Sequence, residues 1–235
     1  MSASQVDPLA PLFAPLTSLR GIGPTLANRI ARAAGGTRVI DLLFHLPQSY
    51  LDRRDRPTIS QVRPGRIATL AVEVVRHDPP AKARQPWKVL VKDATGFAEL
   101  VFFTFGRQAQ IPRGTRLLVS GKVEQFGDRL TLPHPDYIVP ADRPEQLPEI
   151  EPVWPLTAGL SARQILAAMR GALAQLPNIP EWHDTALIRR ERWPGFRAAL
   201  EALQAPASPP SEAARRRLAY DELLANQVTL ALARG

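Results

Sequence analysis

The sequence predicts an α+β fold, with a small antiparallel barrel of five strands set between helical segments. Three observations carry this expectation. Apolar residues recur at helical spacing early and late in the chain. Between residues 66 and 139 the period drops to two, and glycines and prolines punctuate the stretch at short intervals.

Residues 8–65 read as a helical region. Pro8 to Leu16 is a short apolar segment. Gly21 and Gly23 interrupt the chain, and Pro24 opens a helix at its first turn, with Leu26, Ile30 and Ala33 on one face. Val39, Leu42, Leu43 and Leu46 form the apolar face of a second short helix, which Pro47 ends.

In residues 66–139, Ala68, Leu70, Val72 and Val74 alternate with Thr69, Ala71 and Glu73 in a first strand. A turn-rich stretch over 77–86 leads to a second strand at 87–93. Ala94-Thr95-Gly96 turns the chain into a third at 97–105. The fourth covers 116–124 and the fifth 129–137, joined across residues 125–128. Short antiparallel strands of this kind read as an OB-like barrel. Gly121 in mid-strand suits a tight bend at a barrel corner.

After a linker that begins at Pro140, residues 140–210 read as a further helical region. Ser161 caps a helix over 162–176 with Ile165, Met169, Leu173 and Leu176 as its apolar stripe. Helices over 184–192 and 195–203 follow, then a Pro-rich loop at 205–210. The last segment, 211–235, is helical to residue 234 with no stop signal, which predicts continuation into a further domain.

Composition narrows the function. The chain of 235 residues carries 30 Lys and Arg against 22 Asp and Glu, a net charge of +8, which favours a polyanionic partner. It has no cysteine, which excludes disulfides, Cys-ligated metals and thiol nucleophiles. No secretory signal and no run of about 18 apolar residues is present, so no membrane association is expected. The four histidines, His45, His77, His134 and His183, lack metal-ligand spacing and read as ordinary structural or surface residues. No phosphate-binding Gly-x-x-x-x-Gly-Lys-Ser/Thr loop occurs, so the chain is not expected to hydrolyse a nucleotide by itself.

The candidate chemistry is nucleic-acid binding. Alternation puts Leu100 and Phe102 on one face of the third strand, and Val101, Phe103 and Phe105 on the other. A Phe at the barrel rim can stack on an unpaired base. Trp87 opens the second strand and is a second stacking candidate, with a core or lid position as its alternative. Lys82, Arg84 and Lys88 frame the loop between the first two strands. With Arg107, Lys122 and Arg129 they form a candidate phosphate-binding set. Arg20, Gly21 and Gly23 form a possible phosphate-binding turn before a helix, whose other reading is a packing turn.

Four ordered groups of segments resemble the RecG family of bacterial ATP-dependent DNA helicases. The first is Leu19-Arg20-Gly21-Ile22-Gly23-Pro24 with Asp41-Leu42-Leu43-Phe44-His45-Leu46-Pro47, Tyr50 and Asp52-Arg53-Arg54. The second is Phe102-Phe103-Thr104-Phe105, Gly121-Lys122-Val123 and His134-Pro135-Asp136-Tyr137. The third is residues 152–160, and the fourth residues 214–224. The resemblance implies that residues 66–139 are a wedge domain that enters a DNA branch point. It implies forks and three- and four-way junctions as partners, in recombination and repair. The protein's own motor domains, carrying ATP and magnesium, would follow the last helix, with single-strand-binding protein as a further partner. A monomeric, cytoplasmic, nucleoid-associated bacterial protein is implied. Some family members carry a second stacking aromatic four residues after the first; here Arg107 stands four after Phe103. Residues 193–210 match the family pattern poorly, which predicts a loop or local disorder there. Two rival readings fit the same residues: a protein-docking module, and an OB-type RNA binder.

Overall fold

The computed structural model describes residues 7–82, 85–103 and 111–234. The chain divides into two compact units, residues 52–149 and residues 1–51 with 150–235.

The second of these is helical. It comprises α1 (Ala10–Phe13), α2 (Pro24–Ala34), α3 (Val39–Leu43), α4 (Ala162–Ala174), α5 (Thr185–Glu191), α6 (Phe196–Gln204) and α7 (Glu212–Arg234). Its core joins residues far apart in sequence: Leu16, Ile30 and Leu42 pack with Trp154, Ile165, Met169, Leu200 and Leu218. The early and late helical regions therefore share one core rather than forming separate parts. Periodicity shows which face of a helix is apolar but not which helix covers it. Ser161 caps α4 through a reciprocal box with Gln164. Asp184 caps α5 by accepting from the amides of Ala186 and Leu187.

Within residues 193–210 the helix expected over 195–203 forms as α6 and residues 205–210 are irregular, so the expectation of a loop or local disorder throughout is corrected only for α6. Ala199, Leu200 and Leu203 of α6 are buried in the core. Buried Gln204 accepts from Trp154 Nε1 at 2.7 Å and donates to the carbonyls of Leu43 and His45. A small two-stranded sheet in this unit, β1 (Ser49–Asp52) with β9 (Ile150–Val153), lay outside the sequence reading.

The barrel unit holds β2 (Ile67–Asp78), β3 (Trp87–Lys92), β4 (Phe97–Phe102), β5 (Arg116–Lys122), β6 (Glu124–Phe126), β7 (Arg129–Pro133) and β8 (Tyr137–Pro140). They form one seven-stranded sheet in the order β6-β7-β4-β3-β2-β5-β8, in place of the expected five-stranded barrel. The expected fourth strand divides into β5 and β6 at Val123. The expected fifth divides into β7 and β8, because His134 takes a left-handed φ of 45° between two prolines. All pairings are antiparallel except β4 with β7. β5 and β6 are adjacent in the chain yet lie near opposite ends of the strand order, so the sheet must curl. Among the described residues no ladder closes it into a complete barrel.

Alternation sorts the two faces. Leu70, Val72, Val89, Val91, Leu100, Phe102, Leu117, Val119 and Leu132 fill the interior. Ile59 and Val62, read as part of the helical region 8–65, pack into this core instead. Their turn is held by Asp93, whose Oδ2 accepts the Ile59 amide at 2.7 Å.

Candidate nucleic-acid interface

β4 delivers Phe102 and Phe103 to opposite faces. Phe102 is buried, whereas Phe103, the next residue, is 60% exposed. Among the described residues, Phe103 is held against His134. Its backbone N–H donates to His134 Nε2 at 3.2 Å. Its ring lies against the imidazole with centroids 5.4 Å apart. An accepting Nε2 places the proton of a neutral imidazole on Nδ1. His134 is itself fixed, since its amide donates to Val101 O at 2.8 Å. Phe102 meets the same imidazole edge-on.

The turn that carries His134 has a buried polar footing. Arg53 Nη1 donates to Ser120 Oγ at 2.9 Å, and Nη2 to Asp136 at 3.0 Å. Its guanidinium lies 4.9 Å from the centre of the Tyr137 ring. The Thr69 hydroxyl bonds the Arg53 carbonyl and Ser120 Oγ. A side chain at Gly121 would bring Cβ within 3.1 Å of Pro135 Cα, so glycine serves close backbone approach there rather than a barrel corner. Asp52-Arg53-Arg54, Gly121-Lys122-Val123 and His134-Pro135-Asp136-Tyr137 thus meet in one place.

Two of the predicted phosphate-binding residues share an internal partner. Glu99 projects from β4 on the Phe103 face and is buried between Lys88, at 2.9 Å, and Arg129. Burial pushes the Glu99 carboxyl up, but hydrogen bonds from Lys88 and Arg129 outweigh it and hold the group below its ordinary value. The carboxylate thereby fixes two cations on one face of the sheet. Lys122 pairs with Glu124 at 3.5 Å, both well exposed. Lys82 is exposed in the β2–β3 loop.

Trp87 takes an anchoring position. Its indole N–H donates to His77 Nδ1 at 3.2 Å, and His77 Nε2 bonds the Ile111 carbonyl at 2.7 Å. The ring is half-buried against the barrel core, which is the lid position. Phe105, Arg84 and Arg107 lie outside the described residues. Arg20, Gly21 and Gly23 belong to the helical unit. Gly21 has a φ of 81°, and Gly23 begins α2 with no side-chain cap.

Sequence reasoning missed the parts played by Glu99 and His134. Glu99 becomes visible only with the strand register that sets it beside Lys88 and Arg129. For His134 the available signal was its place between Pro133 and Pro135, which marks a stiff turn.

Among the described residues no helix is long and apolar enough to cross a membrane. Nor is any group of three or more His, Asp or Glu placed to hold a metal ion. A curled, mainly antiparallel sheet and a separate helical unit together define an α+β protein. The family described as the RecG wedge domain matches residues 16–176, more than half of the chain, and the chain belongs to that family. The protein named ATP-dependent DNA helicase RecG of Acidithiobacillus ferridurans is 32% identical over 222 residues, covering 92% of this chain and 32% of its own length. Its namesake in Escherichia coli (strain K12) is 30% identical over 235 residues, with 92% and 33% covered. The chain therefore spans about a third of the length of these curated relatives. A solved structure described as RecG bound to a three-way DNA junction matches all of this chain and 32% of that chain, with a TM-score of 0.78 at 22% identity. At that identity the likeness speaks for the fold.

Proposed function

We propose that this chain binds branched DNA and serves as the strand-separating wedge of an ATP-dependent DNA helicase. The observation that carries the reading is Phe103, an exposed ring at the end of β4 whose turn is already locked by His134. A ring ordered before binding loses little further entropy when a base stacks on it. Stacked on the last unpaired base at a branch, it blocks reannealing. Family membership supports the reading, as does a relative solved with a three-way DNA junction. Lys88, opposite Val101, would supply charge to the phosphates beside Phe103, and Arg129 farther along the same face. Because phosphate contacts carry the affinity, binding should weaken steeply with salt and follow branch shape rather than base sequence.

The work of strand separation would come from ATP hydrolysis. This chain offers no phosphate-binding loop for it, so ATP and magnesium would be held by motor domains outside the chain. The module would act sterically, within replication-fork repair and recombination.

The test is fluorescence-anisotropy binding of the chain to labelled single strand, duplex and three-way fork at matched salt. The fork should bind tightest. Phe103→Ala should weaken fork binding by about 1–3 kcal/mol, the value of one base–aromatic stack. Equal binding to all three DNAs would reject the wedge reading for this chain.

A further inference from the structure

A second aromatic platform lies at the opposite end of the same sheet face. Strand register places Lys92 of β3 opposite Phe97 of β4. Ala98 pairs with Leu130, which puts Phe97 level with Arg129 of β7. Phe126 of β6 pairs directly with Arg129. Lys92, Phe97, Arg129 and Phe126 therefore form one row across four adjacent strands, on the face opposite the core. Phe97 is 60% exposed and Phe126 is 79% exposed. Two large rings left in water on a sheet, either side of an arginine, need an explanation that burial does not give.

We infer that this row binds single-stranded DNA, with Phe97 and Phe126 stacking on bases and Arg129 and Lys92 meeting phosphates. The inference rests on the wedge reading for the identity of the strand, and the platform is additional to Phe103. Three features favour a nucleic-acid strand. In OB-like barrels the face of the second and third strands and the last hairpin loop take oligonucleotides; here these are β3, β4 and the β6–β7 turn. The spacing also fits. Phe97 and Phe126 stand two strands apart, about 10 Å, and Phe97 and Phe103 are six residues apart along β4, about 20 Å. A strand leaving the branch at Phe103 can follow β4 to the second platform. Finally, Glu99 lies buried between the two aromatic ends and holds Lys88 and Arg129 on the path of the strand. The acids nearest the row, Glu73 and Glu124, are paired with Lys92 and Lys122, and Asp128 lies in the hairpin turn.

The test uses the whole chain, a labelled oligothymidylate and a labelled three-way fork. Phe97→Ala with Phe126→Ala should lower oligothymidylate affinity about tenfold for each ring removed. Phe97→Trp and Phe126→Trp should retain binding, and the new indole fluorescence should be quenched as the oligomer is added. Both rings are exposed, so the alanine variants should keep the thermal midpoint of the parent. Unchanged oligothymidylate binding in the double variant, with Phe103→Ala still weakening fork binding, would overturn the platform and leave the wedge reading standing. Normal oligothymidylate binding that depends on Phe97 and Phe126, without preference for the fork, would sustain the platform and reject the wedge. A change of oligomeric state in the double variant, with DNA binding unchanged, would assign the row to self-association and overturn the inference.

Discussion

Each unit buries an arginine, and the two hold different parts of the molecule in place. In the barrel unit, buried Arg53 bonds Ser120 Oγ and Asp136, whose side chain is half in water. In the helical unit, Arg217 is fully buried and bonds two carboxylates, Glu181 and Asp221. Asp221 is itself buried, and it also accepts from the indole of Trp182 and bonds His183. The lesson concerns what each arginine holds. Removing Arg217 strands Asp221, a buried acid. Arg217 ties α7 to the 181–183 segment. Arg53 supports the turn that holds Phe103.

Breaking the comparison should separate the two roles. Arg217→Ala should cost about 3–5 kcal/mol, as expected when one partner of a buried ion pair is deleted. Urea unfolding followed by tryptophan fluorescence reads this directly, because Trp154, Trp182 and Trp193 all lie in the helical unit. A loss below about 1 kcal/mol would show that Asp221 finds water or another partner. Arg53→Ala should cost at least about 1 kcal/mol, because buried Ser120 Oγ loses its Arg53 donor. It should also weaken fork binding, because the His134 turn loses its footing. Full fork affinity in a folded Arg53→Ala protein would separate that footing from the interface.

Much of the barrel was legible because the alternation of Ala68, Leu70, Val72 and Val74 is a local signal that survives any choice of partner strand. The same signal set Phe102 and Phe103 on opposite faces, while the folded register shows that Phe102 is the buried one. The strand count was not legible, since Val123 and His134 interrupt strands at points that only the folded register reveals. Nor was the shared core of α2 and α4, whose stripes are about 130 residues apart. At the interface, charge counting found Lys88 and Arg129 but not the buried Glu99 that orients them. Trp87 carried the composition of a stacking residue, yet the His77 acceptor ten residues earlier draws its indole inward.

A smaller effect should appear with acid. Glu99 and Glu181 both have folded-state values below their ordinary 4.5. Burial opposes the shift in each; the bonds from Lys88 and Arg129 lower Glu99, and those from Arg217 lower Glu181. A carboxylate lowered on folding adds stability that is complete above its unfolded value and is lost as pH falls through the folded one. Stability should thus decline below about pH 4.5, and Glu99→Gln should flatten part of that decline. Urea midpoints across an acidic pH series would reveal it. Identical slopes in parent and variant would remove Glu99 from the cause.

The central claim is that a locked Phe103 stacks at the branch point. It is tested most directly by placing 2-aminopurine at the first unpaired position of a three-way fork and titrating in the chain. The account predicts a fluorescence change at that position that Phe103→Ala abolishes, while the same base placed well within a duplex arm reports nothing. An equal response from parent and Phe103→Ala proteins would contradict it.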